Sequence, residues 1–182
     1  INKIIDLPAM INKKHLLGLD ILNAIQTPAY LISPEKFMEV IYSSVELCFT
    51  SGLCAISGKT FISHALLLCG AFNQFKEGLE FSKLAAQINK KHPSALNKIE
   101  IDFTTNVSVI HWNKHIKNTL EPLERNFYSG MECGNVEYAF HSALFYCFYN
   151  LFSSKPLTNV DTTFIKYTQI MRDKKQVELF YL

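Results

Sequence analysis

The chain has 182 residues, 48% of them hydrophobic and 19% charged, with a net charge of +2. That length suits one domain, and the composition can build a core, which excludes an intrinsically disordered chain. Arg125 and Arg172 are the only guanidinium groups among 18 basic side chains, a poor inventory for phosphate or base contacts, so nucleic acid is not expected as a partner.

The predicted elements, in chain order, are all helical. A first helix spans 6–25, with Leu17, Ile21 and Ala24 on one face and Thr27-Pro28 as its stop. A second starts at Ser33, whose side chain caps it while Pro34 takes the first helical position. Phe37, Ile41, Val45 and Cys48 form its stripe, and Ser51-Gly52 ends it. A third covers 57–69, with Phe61, Ala65 and Leu68 facing inward. The fourth follows Asn73 as cap, carries Phe75, Leu79 and Ala86, and ends in Lys90-Lys91, two cations at the negative end of its dipole.

Residues 98–112, KIEIDFTTNVSVIHW, carry two patterns. Alternation of Ile99, Ile101 and Phe103, and of Val107 and Val109, suits a β-hairpin. Leu96, Ile99, Phe103, Val107 and Ile110 also match a helical stripe behind Ser94 as cap, and the helical neighbours on both sides favour helix.

Next comes an amphipathic helix with Ile116, Leu120, Leu123, Phe127 and Met131 at helical spacing. Pro122 either kinks it or marks a regular start near Thr119. Gly134-Asn135 joins it to a helix over 135–152 that is apolar almost all round, as expected of one buried between neighbours. A loop at 153–156 leads to a last helix opened by Thr158 and Asp161, with Phe164, Tyr167 and Met171 as its stripe. The apolar run VELFYL at 177–182 continues the helix past the end of the sequence, and dimerisation through it would be an artefact of cutting a repeat array.

Taken in pairs, these helices recur at about 40 residues, the period of a stacked helical array. The expected fold is therefore all-α: a single helical-repeat domain of about eight helices, its antiparallel pairs stacked as a right-handed solenoid similar to tetratricopeptide arrays. The pairs occupy 1–55, 56–93, 94–133 and 134–182.

Four stretches together resemble one bacterial family: DLPAM (6–10), TPAY (27–30), ALLLCGAFNQFKEGLEFSKLA (65–85) and HWNKHIKNTLEPLERNFYSGMECGNVEYAFHSALFYCFYNLF (111–152). Its members are very large signalling proteins carrying a Ser/Thr-kinase-like module, an AAA-type predicted ATPase, a helical region, and GAF and histidine-kinase modules. The chain is similar to that helical region, while SGLCAISGKTF (51–61) departs from the pattern. The resemblance implies a fragment of a longer signalling protein, a reading with which an initial Ile agrees. It also implies a scaffold or relay that contacts neighbouring modules or a peptide.

Chemistry is sought and not found in the residues. GLCAISGKT (52–60) has five residues between its glycines where a phosphate loop needs four, and no buried strand precedes it. His111 and His115 share metal-ligand spacing without a third ligand, so no metal or other cofactor is expected. Glu137 and His141 share a helix face without a nucleophile beside them. Cys147 lies in LFYCFY with no basic neighbour to activate it. No catalytic residue is assigned, and an enzyme is the weakest reading.

The five cysteines contain no CxxC pair and fit a reduced, cytoplasmic setting. No run of about 18 apolar residues suggests membrane insertion. Position on the first helix of each pair nominates His64, Ser108, His111, Glu137 and His141 as partner-binding residues on the concave surface. The alternative function is small-molecule sensing by an aromatic pocket between helices 98–112 and 135–152.

Overall fold

The computed structural model describes residues 1, 3–153 and 157–173. Among them the chain is helical throughout, interrupted by turns and by one isolated parallel bridge between Ala9 and Leu53. The helices are α1 (Lys13–Ala24), α2 (Gln26–Ile32), α3 (Pro34–Ser51), α4 (Ser57–Gly70), α5 (Phe75–Lys91) and α6 (Ala95–Thr104). A π turn at Thr105–Val109 joins α6 to α7 (Ile110–Asn113), and a 3₁₀ turn at Ile116–Thr119 leads into α8 (Leu120–Cys133). Then follow α9 (Val136–Phe152) and α10 (Leu157–Asp173). None of the described helices is long and apolar enough to cross a membrane.

Several starts follow from local chemistry. Ser33 accepts from the Lys36 amide with Pro34 in the first turn, Ser94 accepts from the Asn97 amide, and Asn135 accepts from the Tyr138 amide. Residues 98–112 are helix rather than hairpin, and Asn106 lies within the π turn. Its Nδ2 donates to the Asp102 carbonyl at 2.8 Å, the acceptor its own N–H would use in a regular α-helix. Pro122 sits in the first turn of α8, where a missing N–H disrupts nothing.

Five local expectations need correction. The first helix begins at Lys13, capped by Asn12, and not at Asp6. Residues 8–10 are instead held beside Leu53 by two 2.8 Å backbone bonds, Leu53 N to Pro8 O and Met10 N to Leu53 O. Thr27-Pro28 does not stop the helix: the chain bends at Ile25, and Pro28 falls within the first turn of α2. Asn73 does not cap α5; it takes a left-handed φ of 56° before the helix opens at Phe75.

The face of α1 is also turned. Leu17 and Ile21 are 59% and 52% exposed, while Leu19 and Asn23 are buried. Asn23 Nδ2 donates to Thr60 Oγ1 on α4, and Ser63 Oγ on α4 donates to Gln26 Oε1. These amides are buried with their hydrogen bonds satisfied, which removes the cost of placing them inward. On α5, Leu84, Ala85 and Ile88 are buried and Ala86 is exposed.

Packing is between chain neighbours. α3 lies against α1, α2 and α4, α5 against α4 and α6, and α8 against α6 and α9, while α10 lies on α9. In addition α4 touches α6, and α6 touches α9. One core gathers Leu19, Cys48, Phe61, Ala65, Leu84 and Ile88; a second gathers Phe127, Phe140, Ala143, Cys147, Tyr167 and Met171. At Gly130 the α8–α9 crossing is so close that a Cβ would come within 2.9 Å of the Ala139 Cβ. The C-terminal turn of α9 is not enclosed: Leu151 and Phe152 are exposed. Residues 154–156 of the expected loop, and the 177–182 segment, lie outside the described residues.

Candidate functional site

α1, α2, α3, α4, α6 and α9 together line one groove. Its wide, polar end is a cavity of about 580 Å³ among Asn23, Lys59, Asn97, Glu100, Glu137 and Tyr138. A neighbouring cavity of about 200 Å³ shares Asn23, Thr27, Glu100 and Tyr138 with it and continues past Ser63, Phe103 and Ser108. That cavity in turn shares Tyr30, Phe37 and Leu66 with an apolar one of about 290 Å³ that ends at Gly70 and Ala71. The groove thus follows α4 from Lys59 to Ala71, about 18 Å at 1.5 Å per residue, from a polar end to an apolar one.

Side-chain bonds between helices that are not neighbours in the chain form much of the floor. Lys59 Nζ on α4 lies 2.7 Å from Glu100 Oε2 on α6, and Glu100 Oε1 accepts the Tyr138 hydroxyl of α9 at 3.0 Å. Both members of the ion pair are mostly covered, at 24% and 20% exposure. Burial, and then the carboxylate of Glu100, hold the Tyr138 phenol far above its ordinary pKa, so this hydroxyl stays a donor. Asn97 Nδ2 donates to the Ala55 carbonyl and Asn135 Nδ2 to the Leu96 carbonyl.

Each of these polar groups already has a partner, so the floor is a structural seam, and Glu137 stands exposed at its edge. Glu100→Ala removes the acceptor of both Lys59 and Tyr138. Urea unfolding is expected to show a loss of about 1–3 kcal/mol, whereas a loss under about 0.5 kcal/mol would place the pair among ordinary surface contacts.

The five nominated residues separate. Glu137 lines the 580 Å³ cavity, and Ser108 the 200 Å³ one. His141 sits behind them, its ring against Phe103 and Tyr138. Burial lowers its pKa, with Glu137 opposing the shift. His64 lines none of these cavities; its ring lies between Tyr42 of α3 and Phe81 of α5. His111 packs on Trp112 and faces Tyr149. His115 lies beyond the end of α7 and accepts the Lys117 amide at the 3₁₀ turn, so the two imidazoles do not share one helix face. Among the described residues no three His, Cys, Asp or Glu side chains gather in metal-ligand geometry.

Phe103 and Tyr138, from the two helices of the supposed aromatic pocket, pack on each other and border the 200 Å³ cavity. Burial pushes the Cys147 thiol up to about 12 and keeps it protonated. Lys59, Asn97, Glu100 and Tyr138 were not nominated. Their one signal in the sequence is spacing, since Tyr138 and Glu100 stand 38 residues apart, close to the repeat period.

His64 also gives a pH dependence. Its Nδ1 is buried without a partner, and burial lowers its folded pKa below the unfolded value. The unfolded state then binds the proton more readily, so stability is full above the unfolded pKa and falls as pH drops through the folded one. Thermal midpoints should decline from pH 7 to 5, and His64→Phe should flatten part of that decline. An unchanged slope in the variant would remove His64 from the account.

The chain was compared with known proteins. No family model, curated protein or solved structure matches it. What the groove does is therefore argued from its own geometry.

Proposed function

We propose that this chain is a non-catalytic helical-repeat scaffold and relay module of a multidomain bacterial signalling kinase, working in the cytoplasm. In this reading its antiparallel helix pairs stack as a right-handed, tetratricopeptide-like solenoid. The groove along α4 is the concave surface, and it receives a segment of a neighbouring kinase, ATPase or GAF module.

One observation carries the reading. Several hydrogen bonds between non-adjacent helices fall at similar separations: 37 residues for Asn23 to Thr60, 38 for Tyr138 to Glu100, 42 for Tyr149 to Val107, and 43 for Tyr167 to Glu124, beside one of 27 from Asn126 to Ile99. A side chain in one pair thus meets the corresponding place in the next, as expected of a quasi-one-dimensional stack. The groove's length suits an extended peptide of about five or six residues at 3.3 Å each, and its apolar end suits a side-chain anchor.

Titration calorimetry of the chain against each neighbouring module of the parent protein tests the reading. Association at micromolar concentration that weakens when Glu137 and Lys59 are reversed in charge is the expected result. No heat with any neighbouring module would contradict it.

A further inference from the structure

Charge along the groove is one-sided. The charged residues that line its three cavities are Lys59, Glu100 and Glu137. Lys59 and Glu100 neutralise each other across 2.7 Å, so the groove keeps one net negative charge, on Glu137. That carboxylate is exposed in the first turn of α9 and pairs with no cation among the described residues. Its neighbour one turn on, His141, adds no positive charge at pH 7, because burial lowers its pKa.

The hydrogen-bonding groups at this end are unevenly spent. The Nδ2 groups of Asn23, Asn97 and Asn135 donate to Thr60, Ala55 and Leu96, and the Tyr138 hydroxyl donates to Glu100. These donors are turned to the protein. Asn97 Oδ1 and the Glu137 carboxylate receive no bond among the described residues, so both are acceptors left open to the cavity they line. A group that satisfies them brings N–H bonds and positive charge. The far end has the opposite chemistry. Tyr30, Pro34, Phe37, Met38, Leu66 and Leu67 wall the 290 Å³ cavity, and no charged residue lines it. Tyr30 is 62% exposed and meets the buried Phe37 edge-on at 5.3 Å, which leaves an aromatic wall without a cover.

We infer that the groove selects an extended peptide segment carrying lysine or arginine at one end and a large aliphatic or aromatic residue about five positions away. The basic side chain meets Glu137 and Asn97 Oδ1, and the apolar one fills the cavity beside Tyr30. An acidic side chain at the first place is repelled by Glu137 and finds no free cation, since Glu100 holds Lys59. This selectivity rests on the groove being a peptide surface, as proposed above, and adds the chemistry of its occupant.

Selection of random phage-displayed peptides, longer than the groove, on the whole chain tests the inference. Enriched peptides should pair Lys or Arg with Leu, Met, Phe or Trp at that spacing. As synthetic peptides they should bind less tightly as salt rises. Glu137→Lys, at an exposed position, should weaken them about tenfold or more. Gly70→Trp should block the apolar end, and a Cβ at Gly70 meets nothing within 4 Å, so the helix accepts it. Unchanged helical circular dichroism checks that both variants are folded. Enriched peptides that Gly70→Trp displaces, but that carry acidic or uncharged residues at the basic place, would overturn the selectivity and leave the groove a peptide surface. Enrichment of no peptide, or of peptides indifferent to both substitutions, would overturn it as well, while heat from a module titration would still uphold the broader role.

Discussion

Replacing Phe61 by alanine is expected to lower the unfolding free energy by about 3–5 kcal/mol, among the largest effects available in this molecule. The ring is fully buried on α4, stacks on Phe81 of α5 at 6.1 Å, and meets Phe49 of α3 edge-on at 6.2 Å. Three helices thus converge on one side chain, and the flanking rings belong to helices that cannot both move in to fill the space. The loss combines the transfer free energy of the ring with the void it leaves. Urea denaturation checks this through a lower midpoint at unchanged slope. A loss below about 1 kcal/mol would mean that α3, α4 and α5 do not meet at this ring.

Gly52→Ala is the second large effect, with an expected loss of about 3 kcal/mol or more, since strain in the backbone adds to a collision. Gly52 has φ 96° and ψ −169°, a region closed to residues with a side chain. A Cβ there would also run into the Pro8 carbonyl oxygen, which is fixed by its bond from the Leu53 amide at 2.8 Å. The clash is with backbone, so no rotamer change relieves it. The substitution should release residues 8–10 from the α3–α4 corner, and hydrogen exchange at the Met10 and Leu53 amides should accelerate with it. Wild-type protection at both amides in the variant would refute the pairing.

These effects show why some of the fold is legible in the sequence and some is not. The helices opening at Ser33, Ser94 and Asn135 can be read because cap and first turn lie within three residues of one another. The helical stripe of 98–112 could be weighed correctly against a hairpin, but its π turn leaves no mark in that stripe. The N-terminal strap is invisible locally, since the partner of Pro8 and Met10 is Leu53. The buried face of α1 was misjudged for a similar reason. Asn23 and Gln26 look like solvent-facing residues until Thr60 and Ser63 supply their partners.

The candidate site divides along the same line. Placing the concave surface on the first helix of each pair nominated Ser108 and Glu137, which do line the groove. It also nominated His64 and His111, which face α3, α5 and their own aromatic neighbours instead. Helix phase decides this, and phase is set by tertiary partners. Lys59, Glu100 and Tyr138 are ordinary residues one by one; their meaning lies in the fold, which brings α4, α6 and α9 to one carboxylate.

The proposed role stands or falls on whether a partner occupies the groove along α4. Amide chemical-shift mapping of the chain, titrated with the kinase, ATPase and GAF modules that the proposed role would place beside it, measures this directly. The account predicts shifts at Lys59, Asn97, Glu100 and Tyr138 at the polar end and at Leu66 and Gly70 at the apolar end. Shifts confined to α5 and α10, with those six amides unmoved at saturation, would contradict it.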